Sequence, residues 1–225
     1  MLRPLPASNA PLNPSRAGSL TLLGGALCLN FTNTTSGRAS DHNLEHLQRY
    51  EHLLAWAAHV GALDETACRR LAALARRHPR LAAGSLLRAV GFREFLHGVF
   101  TARIAGAAPP ALALGDLNET LAEAMAAASI LPTATGFAWT WPDLASSLDC
   151  VLWPVVRSAA ELLTGPRLER LKVCPGQHCG WLFLDATRNG RRRWCEMEVC
   201  GSRAKMRRYR QRRQATNMDR RAVPG

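Results

Sequence analysis

Cys174-Pro-Gly-Gln-His-Cys179 and Cys195-Glu-Met-Glu-Val-Cys200 are two Cys-x4-Cys pairs with fifteen residues between them. A short gap lets two thiolates of one chain turn point at one ion. Two such turns complete a tetrahedral shell of sulfurs at about 2.3 Å from Zn2+. The segment needs that help. From Lys172 onward its large apolar residues are few (Trp181, Leu182, Phe183, Leu184, Trp194, Val199) and its charges many, too polar a mixture to fold by burial alone. A closed four-sulfur shell leaves no open position for water, so the expected ion, one per chain, is structural. His178, beside Cys179, is an alternative ligand.

Working outward, Trp181 to Leu184 reads as a strand and Asn189-Gly190 as a tight turn. Arg191 to Trp194 reads as the returning strand, with Cys195 to Cys200 leading into a final helix. Knuckle, hairpin and helix around one ion make a treble-clef-like module. Arg203, Lys205, Arg207, Arg208, Arg210, Arg212 and Arg213 then fall within eleven residues that no Pro or Gly interrupts, so a helix is allowed. On it, Arg203, Arg207 and Arg210 share one side, and Lys205, Arg208 and Arg212 the opposite one. Ala204, Met206 and Tyr209 make no continuous apolar stripe, so this helix has no face to bury. The chain carries +12, and residues 171–225 hold 14 basic and 4 acidic side chains. Such asymmetry predicts a polyanion partner for this end. Arg188, Arg191, Arg192 and Arg193 extend the same basic surface. No large apolar residues accompany the charge, which argues against a membrane surface.

The run Cys174…Cys179-Gly-Trp-Leu-Phe-Leu-Asp185, Arg188-Asn-Gly-Arg-Arg-Arg-Trp194-Cys195-Glu-Met197, Cys200-Gly-Ser-Arg203-Ala-Lys205 resembles the CGNR-type zinc finger. The family's Cys-Gly-Asn-Arg box reads Cys200-Gly201-Ser202-Arg203 here, with Ser202 at the Asn position. Such fingers follow an N-terminal ABATE domain in bacterial regulators predicted to be stress-induced. Leu27-Cys-Leu-Asn30-Phe-Thr-Asn33-Thr34 is similar to the start of that domain, with Asn30 where the family has Asp, and Ala159 to Leu163 is similar to its end. The resemblance covers roughly residues 20–213 and is specific over 174–210. It implies a DNA-binding transcription regulator with a sensing domain ahead of the finger.

The first 170 residues are balanced, with 15 basic and 13 acidic side chains. Residues 1–19, rich in Pro, Ser, Asn and Ala, read as a flexible leader. Leu20 to Asn33, with Gly24-Gly25 inside, reads as strand–turn–strand. Leu44, Leu47, Leu54 and Trp56 lie at near-helical spacing behind Asp41 as cap, and Gly61 closes that helix. Asp64 opens a second helix that runs to His78 before Pro79. Leu81 to Ile104 is a third, Pro109-Pro110 a break, and Asp116 to Ser129 a fourth. Phe137, Trp139 and Trp141 alternate as a short strand. Asp143 caps a fifth helix that Pro154 kinks or delays and Gly165-Pro166 ends.

The chemistry-bearing side chains of this part form no catalytic pattern. His42 and His46 are spaced i, i+4 without the glutamate of an HExxH motif, and with His52 and His59 read as surface histidines. GxSxG, P-loop and GxGxxG motifs are absent from the sequence. Trp139, Trp141 and Trp153 read as core. Asn30 and Asn33, at an expected strand end, are the candidate pocket-lining groups for a small-molecule effector. Leu20 to Leu29 is half the roughly 20 residues of a membrane helix, and no small-x-small cleavage pattern follows it. With seven cysteines, an odd number, these features predict a cytoplasmic chain with reduced thiols. Cys28, Cys68 and Cys150 are expected to be packing thiols.

The expected fold is therefore α+β. A mostly helical N-terminal domain with a few short strands spans residues 20–168. A zinc-bound hairpin–helix module spans residues 171–214, and a tail spans 215–225. The expected function is DNA-binding transcription regulation without enzymatic activity, with a ligand-sensing or homodimerising N-terminal domain. The alternatives are an RNA-binding or ribosome-associated zinc protein, and an enzyme with a basic localising tail.

Overall fold

Helix α4, Pro79–Ile104, is the spine around which the N-terminal domain assembles. Its proline sits in the first turn, where the missing N–H costs nothing. Ala82, Leu86, Ala89, Phe92, Leu96, Val99 and Phe100 recur at three- and four-residue spacing and are buried, the stripe that fixes a helix on a core. Before it, the Asp64 carboxylate accepts from the Ala67 amide at 2.7 Å and caps α3, Glu65–Arg77. This computed structural model describes residues 15–40, 43–108, 113–142 and 147–222.

Around the spine lie α1 (Leu27–Thr32), α2 (Tyr50–His59), α3 and α5 (Ala113–Ala126); α6 (Trp153–Thr164) closes the core against α1 and α5. The strands come in three antiparallel pairs: β1 (Thr35–Ser36) with β2 (Leu44–Glu45), β3 (Ser129–Thr133) with β4 (Gly136–Thr140), and β5 (Leu171–Val173) with β6 (Leu182–Leu184). The core centres on Leu29, Phe31, Leu53, Trp56, Leu96, Phe100, Val151 and Val155, with the Phe31 and Trp56 rings 5.1 Å apart. Leu171, Leu182 and Leu184 belong to this same core. Burying each such side chain contributes about 1.5–3 kcal/mol, so the start of the C-terminal module is built into the N-terminal domain. A chain turn at Met197–Gly201 then leads into α7, Ser202–Ala222. No helix among the described residues is long and apolar enough to cross a membrane.

The α+β architecture and the helices after residue 60 follow the sequence expectation; the first fifty residues depart from it. Leu20 to Asn33 is not a strand pair but leads into helix α1, whose Cys28, Leu29 and Phe31 are all fully buried. Six residues, four of them buried, are too short a run for periodicity to tell a helix from a buried strand. Leu44 and Leu47 are not helical: Leu44 pairs with Ser36 in β2, and the helix begins only at Tyr50. His46, expected on a surface helix, is buried between β2 and α2. Trp141 and Trp153 are buried, whereas Trp139 is 39 % exposed on the β3–β4 hairpin. Pro154 delays α6 rather than kinking it. The residues Asp41, His42, Pro109, Pro110 and Asp143 lie outside those described.

Candidate metal centre and nucleic-acid interface

The β5–β6 hairpin delivers the first cysteine pair. Cys174 follows β5, its amide donating to the Trp181 carbonyl at 2.8 Å, and the Cys179 amide donates to the Gly176 carbonyl at 3.0 Å, closing a knuckle. The second pair comes from the turn before α7, where the Cys200 amide donates to the Glu196 carbonyl at 3.0 Å. All four sulfurs lie within 4.8 Å of one another, with Cys179–Cys195 at 3.5 Å and Cys195–Cys200 at 3.7 Å. A tetrahedron of sulfurs at about 2.3 Å from zinc has edges of about 3.8 Å, so this donor set fits one Zn2+ ion. His178 is exposed and outside the cluster.

The protonation energetics agree. Without a cation the sulfurs compete: hydrogen bonds from Cys179 and Cys195 pull Cys174 down, while those same contacts push Cys179 and Cys195 up. Burial, with Cys174 nearby, raises Cys200. One thiolate is favoured among four, and a divalent ion lets all four ionise. Elsewhere burial pushes Cys28 and Cys150 up to about 12, which leaves them neutral packing thiols.

The returning strand expected at Arg191 to Trp194 does not form. The Thr187–Gly190 turn is present, but β6 has no edge left to offer. One edge pairs with β5. On the other, Leu184 donates to the Gly24 carbonyl at 2.9 Å. On that same edge the Asn33 side chain donates to the Leu182 carbonyl and accepts from the Leu182 amide, both at 2.9 Å. Asn33 is therefore a clamp between the two parts of the chain. Asn30, in α1, accepts from the Gly24 amide at 2.9 Å and shapes the same contact. Asn33, buried and with both ends of its amide on Leu182, is committed to this contact, whereas Asn30 is half-buried and engaged through its oxygen.

Further contacts fasten the knuckle. Trp181 Nε1 donates to the Thr35 carbonyl at 2.9 Å, and His97 Nε2 meets the Gly180 carbonyl at 3.4 Å. Gly180 has φ +71°, and a Cβ there would lie 3.0 Å from Arg38 Cβ, so only glycine suits the position. Behind it Arg38 pairs with Glu94 at 2.6 Å, and buried Arg93 pairs with Glu45 and Glu94 at 2.6 and 2.8 Å. These partners were not legible as site residues, because nothing in their spacing marks them.

The basic residues sort into two groups. Arg192 turns inward: its guanidinium donates to the carbonyls of Trp194 (3.1 Å), Leu184 (3.4 Å) and Cys195, and lies 4.6 Å over the Phe183 ring. It holds the loop around Cys195 and, half-buried, still borders the groove beside it. Lys172 also turns inward, to Asp185 at 2.7 Å. Burial opposes ionisation of Asp185, but hydrogen bonds from Lys172, Thr187 and Arg192 outweigh it and hold the carboxyl below its usual range. Arg188, Arg191, Arg193, Arg203, Lys205, Arg208, Arg210, Arg212 and Arg213 are exposed. Arg207 is half-buried and donates to Gln177 at 2.7 Å. Thr187, Asn189, the three arginines 191–193, Trp194 and Met197 border an open groove of about 600 Å3, with the Arg193 guanidinium 5.3 Å over the Trp194 ring. Ala204 seats α7, and Gly201 is as closely fitted: a Cβ there would run into Met197 and stand 3.2 Å from Trp194. At ~1.5 Å per residue α7 is about 31 Å long.

Two family models match the sequence. Residues 25–166, more than half of the chain, match ABATE, described as "Putative stress-induced transcription regulator", and residues 170–213 match the CGNR zinc finger. These descriptions are regulatory and metal-binding rather than catalytic. No curated protein is significantly similar to the chain. The zinc-site geometry and the two matched segments agree: the chain belongs to the ABATE family and carries a CGNR zinc finger.

Proposed function

We propose that the protein is a transcription regulator that binds DNA through the basic surface organised by its zinc centre. The observation that carries this reading is α7, whose cationic side chains from Arg203 to Arg213 are exposed except for half-buried Arg207. A helix of about 10–12 Å diameter fits the roughly 12 Å major groove. Arg203, Lys205, Arg207, Arg208, Arg210, Arg212 and Arg213 supply phosphate contacts, and with the helix in the major groove Arg203 and Arg207 reach guanine edges. Arg188, Arg191 and Arg193 on the preceding loop engage the flanking backbone. The N-terminal domain, about residues 20–168, senses a small molecule or pairs two copies, and the protein works in the cytoplasm. Zinc does no chemistry here; Cys174, Cys179, Cys195 and Cys200 hold it so that loop and helix share one orientation.

A second reading, single-stranded RNA, is favoured by the groove in which Arg193 lies over Trp194, since aromatic faces stack unpaired bases. Fluorescence anisotropy with a 30-base-pair duplex and a single-stranded RNA of equal length, over 50–300 mM salt, decides between them. DNA binding predicts tighter duplex binding, with log K falling by about 0.9 per phosphate contact per decade of salt. Preference for the RNA selects the second reading. Zinc-loaded protein that ignores both at 50 mM salt sinks the two together.

A further inference from the structure

We infer that the N-terminal domain binds a flat aromatic acid in the cavity between the end of α2, strand β4 and helix α6. The cavity measures about 480 Å3, within the roughly 300–1,000 Å3 of small-molecule sites. Phe137, Trp139 and Trp141 give it an aromatic wall, and Val60, Ala62 and Leu27 close its apolar side. Phe137 is 79 % exposed and Trp139 39 %, large apolar surface that a ligand ring would cover. The Trp141 indole N–H is already committed to the Ala124 carbonyl at 2.8 Å, so that ring offers stacking area rather than a donor.

Arg157 supplies the polar end. It lies in the cavity lining with its guanidinium 5.4 Å over the Trp139 ring, and its Nη1 donates to Glu161 at 2.6 Å. Its Nε is buried with no hydrogen-bond partner. A buried donor left unpaired is unfavourable. A planar carboxylate that enters the cavity and takes the place of Glu161 meets the guanidinium in the short, charge-assisted geometry it favours. Glu161 is more than half exposed and competes for the same cation at the mouth. A neutral ring offers the guanidinium no counter-charge to replace Glu161, and a cation meets Arg157, so the chemistry selects an aromatic anion. Leu27, in the cavity wall, also opens α1, and the far end of α1 leads to Asn33 and its hold on β6.

This inference deepens the sensing half of the proposed function and rests on it. Its test contains no nucleic acid, so its failure and that of DNA binding are separately readable. Zinc-loaded full-length protein is titrated calorimetrically with 1-naphthoate and with neutral 1-naphthalenemethanol. One naphthoate should bind per chain with a dissociation constant below about 1 mM, and the alcohol at least tenfold more weakly. Arg157→Gln should abolish that discrimination. Glu161→Gln, an exposed substitution, should tighten naphthoate several-fold, and Ala62→Trp should fill the cavity and remove binding. Absence of saturable naphthoate binding to the wild type overturns the inference. So does unchanged discrimination in Arg157→Gln, or, should that variant not fold, unchanged naphthoate affinity in Glu161→Gln.

Discussion

The Asn33 carboxamide holds both backbone groups of Leu182, donating to its carbonyl and accepting from its amide at 2.9 Å each. A side chain thus stands in for the neighbouring strand that β6 lacks on that edge. The contact is buried and spans 149 residues of sequence. It joins α1 to the hairpin that carries the zinc knuckle.

Replacing Asn33 by Ala should strip a donor and an acceptor from two buried backbone groups at once. At about 1–3 kcal/mol for each unpaired group, Asn33→Ala should destabilise the chain by about 2–6 kcal/mol. Asn33→Asp keeps the acceptor but presents a carboxylate to a carbonyl, and should be no better tolerated. Urea unfolding followed by far-ultraviolet circular dichroism measures both. A loss below about 0.5 kcal/mol in Asn33→Ala would show that the clamp is ornamental.

Zinc removal should reach beyond the finger. Leu171, Leu182 and Leu184 lie in the N-terminal core, while Cys174 follows directly on β5. Chelation, or Cys195→Ala, should release about one zinc per chain and unravel residues 174–200. It should also lower the melting temperature of the remaining helices by about 4–8 °C for each ~2 kcal/mol of lost docking. Metal analysis combined with thermal melting at 222 nm reads both effects. A helical transition unmoved by complete metal loss would show that finger and domain are energetically independent.

That coupling is what the sequence hid. The cysteine pairs declared themselves by spacing, and α3 by its Asp64 cap and the following Pro79. Leu182 and Leu184 looked like the inside of a small autonomous hairpin, because nothing local says that β6 borders a distant helix. The same blindness made Asn33 a candidate pocket residue: a buried polar side chain signals commitment, but only the partner tells to what. Arg192 was indistinguishable from Arg191 and Arg193 within one run of arginines. The fold separates them, because an extended chain alternates its side chains between inside and outside.

Acid should weaken the protein in two stages. Burial, reinforced by the charge of Arg38, lowers His97; burial, reinforced by Arg16 and Arg93 and opposed by Glu45, lowers His46. Both imidazoles take up protons less readily when folded than the unfolded histidine, which does so near 6.5. The unfolded chain therefore binds more protons, and stability falls as pH drops through 6.5, by up to about 1.4 kcal/mol per pH unit for each histidine. Burial resists ionisation of Glu94, but Arg38 and Arg93 bring it down to about 2. Its contribution persists above about 4.5 and is lost between there and about 2. Urea midpoints at pH 7.5, 6.5 and 5.5 check the first stage. His97→Asn should flatten the slope relative to wild type, with thiol protonation common to both. Parallel slopes would remove His97 from the account.

Arg192 and Arg208 should behave as opposites despite identical chemistry. Arg192 donates to three backbone carbonyls and lies over Phe183, so Arg192→Ala should cost about 1.5–3 kcal/mol of stability and loosen zinc retention. With the fold held by excess zinc, the salt dependence of duplex binding should not change, since backbone carbonyls already occupy this guanidinium. Arg208 is exposed on α7, and Arg208→Ala should leave stability within about 0.5 kcal/mol. It should lower the salt slope by about 0.9, the release of one counterion equivalent. Melting curves and anisotropy titrations on the same two variants give all four numbers. If Arg192→Ala lowers the slope while melting normally, its inward role is refuted. If Arg208→Ala leaves the slope untouched, that side of α7 does not meet the phosphate backbone.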